Sequence, residues 1–311
     1  MNFKKVVVAG GGVLGSQIAF QTAYCGFQVA VILRSEASIQ RTKAKIEGLR
    51  TVYLNIIENM KKGGPYFAGI TNETKLTNEQ IDELKQKVEK AYKELVLTTS
   101  YEEACKDADL VIESIAEIVE QKQEFFKELI KHINPNTVVV SNSSTILPSI
   151  LAPSTDRPEK FLGFHFSIRI WKMNIAEIMG HTGTDKKYYD IMEEFAKKIN
   201  MVPVKIYKEQ SGYILNSLLI PFLRSALDLW ILEISEPKDI DITWRISTNS
   251  PLGPFEILDH IGINTIYNVM LMDPTNNQED TTAYKICKKL KEMIDTGKLG
   301  RGTGEGFYKY K

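Results

Sequence analysis

The chain is short of several things, and each shortage excludes a class of protein. Cysteine occurs three times in 311 residues, at Cys25, Cys105 and Cys287. The number is odd, the positions are far apart, and there is neither a CxxC pair nor a histidine at ligand spacing. That pattern excludes a disulfide framework and a cysteine–histidine zinc site, and no metal is expected. Net charge is also lacking, with 39 Lys+Arg against 39 Asp+Glu, which speaks against nucleic acid or an anionic membrane as partner. No uninterrupted apolar run approaches the ~20 residues of a membrane span. The first residues read as a strand and not as a signal peptide. The expectation is a cytoplasmic protein with buried, reduced thiols.

What is present is ordinary in bulk and specific in detail. Hydrophobic content of 43% and charged content of 25% fit a globular enzyme, and the length allows two domains. The informative stretch is 4–35. Val6 to Ala9 is a short β-branched run of the kind buried on both sheet faces. It leads directly into Gly10-x-Gly12-x-x-Gly15. Ser16 to Tyr24 reads as a helix, and Val29 to Leu33 as a second buried strand. Strand, glycine turn, helix and strand within about thirty residues form the dinucleotide-binding unit. Gly10 permits the turn, Gly12 lets a pyrophosphate approach the backbone, and Gly15 lets helix and strand pack closely. The amide groups at the helix start, around Val13 and Leu14, then face the phosphates. The plainer alternative is a glycine turn between two core elements.

The second strand ends unusually. An NAD site commonly places Asp or Glu there for the ribose 2′-hydroxyl. This chain has Leu33, Arg34 and Ser35. Arg34 can fork onto a 2′-phosphate and Ser35 can donate to it, so NADP is favoured over NAD. A solvated surface arginine is the competing reading of Arg34.

Beyond residue 35 the pattern gives a helical insertion at about 38–94, then strands near 95–98, 109–114, 137–140, 160–166, 175–179 and 201–206, alternating mainly with helices. After Tyr207 only helices are predicted. The fold class is therefore α/β, a Rossmann-type, mostly parallel sheet with helices on both faces over 1–207, and an all-helical domain over 208–311. The stretch 212–234 is apolar nearly all round, the mark of a helix covered by core or by a second subunit.

Polar residues cluster at predicted strand ends, where open α/β sheets bind ligands. Of four histidines only His165 lies at such an end. Free imidazole titrates near neutrality, which suits a general acid/base. Glu177, in the next strand, can hold the other ring nitrogen. A core histidine and a surface carboxylate are the plainer readings.

Several segments together resemble the 3-hydroxyacyl-CoA dehydrogenase family: Gly10 to Gly15, Asp109 to Glu113, Glu117 with Lys122, Ser141 to Ser144, Gly163 to Phe166, Glu177-Ile178, Gly212 to Asn216, Pro251 to Glu256 and Gly302 to Tyr308. The match runs in order over nearly the whole chain. The resemblance implies NAD(P)-dependent interconversion of an L-3-hydroxyacyl-CoA and its 3-ketoacyl form. It implies His165 as catalytic base, Glu177 as its orienting carboxylate, and Ser144 and Asn216 as hydrogen-bond partners of the reacting oxygen. It also implies Glu117 and Lys122 as cofactor contacts, a substrate-binding arm in the helical insertion where Lys61 or Lys62 meets CoA phosphates, and a homodimer through the helical domain.

One segment departs from the family. His-Phe is usually followed there by Phe-Asn-Pro, and this chain has Ser167-Ile168-Arg169. Arg169 adds a charge that can pair with a substrate carboxylate. A dehydrogenase of a small free 3-hydroxy acid or sugar acid is thus a second reading, and a non-catalytic binding module a third.

Overall fold

Val6 and Val8 face one helical layer and Val7 faces another, the period of two that a strand buried on both sides requires. The computed structural model describes residues 3–310. Its strands are β1 Lys5–Ala9, β2 Gln28–Ile32, β3 Val96–Thr98, β4 Leu110–Glu113, β5 Val138–Ser141, β6 Phe161–Phe166, β7 Ile175–Met179 and β8 Val202–Ile206. They form one sheet in the order β3-β2-β1-β4-β5-β6-β7-β8. All neighbours pair in parallel except β6 and β7. The connection across 167–174 is too short for a parallel crossover, which needs a dozen or more residues, so β7 returns antiparallel.

The helices are α1 Val13–Tyr24, α2 Glu36–Lys61, α3 Asn78–Glu94, α4 Tyr101–Cys105, α5 Val119–Leu129, α6 Pro148–Leu151, α7 Lys186–Lys198, α8 Tyr213–Ile231, α9 Pro237–Thr248, α10 Pro254–Ile261, α11 Ile263–Met270 and α12 Thr282–Asp295. Helix α5 ends at Leu129, where the amides of Lys131 and His132 donate to carbonyls three residues back and the turn tightens. Helices α1 and α7 cover one face of the sheet, and α4 to α6 the other. The predicted insertion is α2 and α3, running antiparallel and tied by Arg50–Glu89 and Lys85–Glu58. Its apolar face packs Tyr53, Ile57 and Val88 against Phe20 of α1.

The chain divides into two compact units, Met1–Ile214 and Leu215–Lys311. The division lies seven residues beyond the expected 207/208, because the intervening segment is bonded to the first unit. Gly212 donates its amide to Ser144, Ser211 its hydroxyl to the Thr145 carbonyl, and Ile214 its amide to Glu177.

Within the second unit Leu223 and Leu227 of α8 pack against Phe255, Leu258 and Ile286. The opposite face of α8 is open, with Leu218 68% exposed. The expectation that this helix is covered all round therefore does not hold within one chain. By length and mean hydropathy, 1.4, it is also apolar enough to cross a membrane. Its middle carries Arg224, bonded to Asp228 and Asp273.

Candidate active site

The parallel sheet changes direction of winding between β1 and β4, which creates a crevice beyond their carboxyl ends. Gly10 follows β1 with φ +104°, and a Cβ there would lie 2.4 Å from the Ser114 carbonyl oxygen after β4. Only glycine fits so close an approach. A Cβ on Gly15 would meet the Gly10 carbonyl oxygen at 2.2 Å, so glycine is also what lets α1 pack on the turn. At Gly12, by contrast, a Cβ would meet nothing within 4 Å, since the position faces open space. Gly12 is the N-cap of α1, offers no side-chain cap, and no acidic residue occupies the first turn. The amides of Val13 and Leu14 are therefore left for an anion, with the helix dipole behind them.

The cleft over this turn measures about 890 Å³. Gly10, Gly11 and Gly12 line it, with Leu33 and Arg34 from the end of β2, Ser114 to Ala116 from the end of β4, and Tyr101 and Phe125 opposite. These features fit a nicotinamide dinucleotide. Leu33 is buried in the place of the usual acid, and Arg34 is exposed beside it. The Ser35 hydroxyl accepts from the Ser38 amide as the N-cap of α2.

Three side chains form a second focus. His165 on β6 and Glu177 on β7 are direct partners in the antiparallel ladder. Residues opposed across two strands project to the same face, and His165 Nδ1 lies 2.9 Å from Glu177 Oε2. Both are buried, at 6% and 2% exposure. The second carboxylate oxygen accepts the Ile214 amide at 2.9 Å. The Nδ1–Oε2 contact fixes the orientation of the ring and turns Nε2 away from Glu177. Nε2 faces the Ser144 hydroxyl at 3.2 Å.

Ser144 is held from behind. Glu117 Oε1 accepts the amides of Ser144 and Thr145 and the hydroxyls of Ser143 and Thr145. Burial opposes charge on Glu117, but these hydrogen bonds and the Lys122 ammonium outweigh it and hold the carboxyl below its ordinary value. Lys122 is 1% exposed, with its ammonium 2.5 Å from Glu113 and 3.4 Å from Glu117. Glu113 also accepts the Ser141 hydroxyl. Glu117 and Lys122 thus also brace the Ser144 loop, with Lys122 paired to two carboxylates.

Some contacts were not legible as functional. Tyr213 stacks on the His165 ring, centroids 4.5 Å apart. Gly212 and Tyr213 have φ of +81° and +55°, a left-handed pair that turns the chain onto the imidazole. Burial raises the Tyr213 phenol well above its ordinary range, so it stays protonated. The sequence signal was the Gly212 to Asn216 segment of the family resemblance, in which Tyr213 carried no assigned role.

The departing segment has its own conformation. Arg169 has φ +64°, donates its amide to Gln17, and accepts from the amides of Lys172 and Met173. Proline is locked near −65° and cannot adopt this backbone. Ile168 is exposed, while Trp171 packs on Tyr53 of α2 at 5.6 Å. Lys61 and Lys62 are exposed at the end of α2, with Lys61 about 12 Å along the helix from Tyr53. Asn216 lies on α8 in the second unit.

A Rossmann sheet with this turn, this cleft and a hydroxyl–imidazole–carboxylate row defines a dinucleotide-dependent oxidoreductase. The model of the 3-hydroxyacyl-CoA dehydrogenase NAD-binding domain matches residues 5–210, and that of the C-terminal domain of the same enzymes matches 212–310. The chain belongs to the 3-hydroxyacyl-CoA dehydrogenase family, whose members are NAD-dependent oxidoreductases. It is 30% identical to the mitochondrial hydroxyacyl-coenzyme A dehydrogenase of Homo sapiens, covering 99% of this chain and 91% of that one. It is 30% identical to the 3-hydroxybutyryl-CoA dehydrogenase of Clostridioides difficile, covering 98% and 99%. Among solved structures, a diketoreductase described as acting on dicarbonyl compounds superposes with TM-score 0.85 at 39% identity, covering both chains completely.

Proposed function

We propose that this chain interconverts an L-3-hydroxyacyl-CoA and its 3-ketoacyl form, with His165 as general acid/base. The observation that carries the reading is the row Ser144–His165–Glu177, with Nε2 facing the Ser144 hydroxyl from a carboxylate-anchored ring. A bound dinucleotide supplies a hydride acceptor or donor for substrate C3. His165 Nε2 takes the hydroxyl proton as C3 loses hydride and the C=O bond forms. Glu177 offsets the positive charge that appears on the ring, and Ser144 donates to the reacting oxygen as its charge changes. Asn216 is assigned to that oxygen by family resemblance, and Lys61 and Lys62 to CoA phosphates. Arg34 beside buried Leu33 supports NADP as the dinucleotide. The open apolar faces of α8 and α9 support a homodimer through the helical unit.

A second reading replaces the thioester with a small free 3-hydroxy or dicarbonyl compound. Two observations favour it: a guanidinium at Arg169 without an ion-pair partner among the described residues, four positions after His165, and the 39% identity to a diketoreductase. One assay separates the readings. Acetoacetyl-CoA, free acetoacetate and a diketo ester are each offered with NADH and with NADPH, and absorbance is followed. Oxidation with the thioester supports the first reading, and oxidation only with the free compounds supports the second. Tight dinucleotide binding without turnover of any substrate overturns both in favour of a binding module.

A further inference from the structure

The wall of the dinucleotide cleft opposite Tyr101 and Phe125 carries three cations, and only one of them follows β2. Helix α2 starts at Glu36, and Ser38, Arg41, Thr42 and Lys45 recur on it at three- and four-residue spacing, so they share a face. All four line the cleft together with Arg34 and Gly11. Thr42 is buried against the glycine turn, and a Cβ on Gly11 would lie 1.9 Å from its Oγ1. Helix α2 is thus pressed onto the residue between the first two glycines. Lys45 Nζ donates to the Gly11 carbonyl at 3.1 Å, and Arg41 donates to the Ser38 hydroxyl at 2.9 Å. Neither makes an ion pair, nor does Arg34, among the described residues. The carboxylates of the cleft, Glu124 and Glu128, stand on the other wall, and Glu128 is paired with Lys131 and His132.

Three uncompensated cations therefore surround the place where the adenosine ribose of a Rossmann ligand lies, where buried Leu33 offers a 2′-hydroxyl no acceptor. We propose that Arg34, Arg41 and Lys45 form a binding site for the ribose 2′-phosphate, with the Ser38 hydroxyl as an added donor, and that Arg41 and Lys45 on α2 set the preference for NADP(H). Two cations on one face of α2 and a third just after β2 can converge on a phosphate. The Ser35 hydroxyl accepts the Ser38 amide as the cap of α2 and keeps its own hydrogen to donate.

The proposal rests on the dinucleotide reading, and binding of fragments tests the two apart without catalysis. The full-length chain is titrated calorimetrically with adenosine 2′,5′-bisphosphate and with 5′-AMP. The bisphosphate is expected to bind at least tenfold more tightly, with a steeper loss of affinity in salt. Arg41→Ala and Lys45→Met are each expected to lower bisphosphate affinity by about tenfold, the loss of one charge-assisted contact, and to leave 5′-AMP unchanged. Arg41→Lys is expected to recover part of it. Equal affinity for both fragments overturns the 2′-phosphate site and leaves the dinucleotide reading standing. Failure of both fragments, and of NADH and NADPH, overturns the two together. A drop in 5′-AMP binding equal to the drop in bisphosphate binding assigns Arg41 and Lys45 to holding the glycine turn, and so also overturns the proposal.

Discussion

His165 and Glu177 are cross-strand partners, and the 2.9 Å contact between Nδ1 and Oε2 leaves Nε2 facing the Ser144 hydroxyl. Replacing Glu177 with Gln keeps the shape but removes the charge that stabilises an imidazolium. Turnover is expected to fall by roughly 10²–10⁴-fold, as is usual for loss of an acid/base function, with dinucleotide affinity unchanged. His165→Ala is expected to match it. Steady-state rates alongside dinucleotide titration check both, and full turnover in either variant removes the pair from the mechanism.

Gly163 has a role in this pair that its type alone does not reveal. A Cβ at this position would lie 2.1 Å from the Tyr213 hydroxyl. Gly163→Ala is expected to push Tyr213 off the imidazole, at a cost of about 1–3 kcal/mol in stability from overpacking. A matching loss of turnover is expected. Thermal unfolding and kinetics of the variant read the two effects separately, and unchanged values for both would show that the stacked ring is free to move.

Glu117 ties the Ser144 loop together as a carboxylate, and its pKa is lowered in the fold. The sign follows from linkage. The unfolded chain binds a proton near the ordinary value of about 4, while the folded chain resists it. The stabilisation is therefore complete above that value and is lost as pH falls through the lowered one. The gap in unfolding midpoint between the natural chain and Glu117→Gln is expected to be constant from pH 8 to 6 and to shrink below about 4. A gap independent of pH would mean that the charge contributes nothing.

The open face of the helical unit bears Leu218 on α8 and Ile246 on α9, the latter 78% exposed. Apolar residues this bare on neighbouring helices favour association. The double change Leu218→Asp and Ile246→Asp is expected to convert a dimer into a monomer in light scattering. A natural chain that already runs as a monomer would contradict the proposed dimer.

The stable hub of the second unit also bears on what was readable. Asp241 and Asp259 are buried and accept the amides of Phe255, Glu256, Phe307 and Tyr308. Gly253 and Gly306 are the positions where a Cβ would strike those carboxylates. The segments around these glycines matched the family in the sequence, but their reason, space for a buried carboxylate, became visible only in three dimensions.

The sequence by itself determined the strands and the glycine turn, and it singled out His165 and Glu177 as candidate partners. Those rest on period-two burial, on local backbone demands and on a spacing that the short 167–174 connection turns into direct opposition. Local chemistry cannot say which buried charges satisfy one another. Only the tertiary structure decided that Lys122 pairs with Glu113 and Glu117, that Tyr213 covers the imidazole, and that α2 lays Lys45 beside Gly11. Each of these depends on contacts between elements far apart in the chain, whose closeness is set by packing.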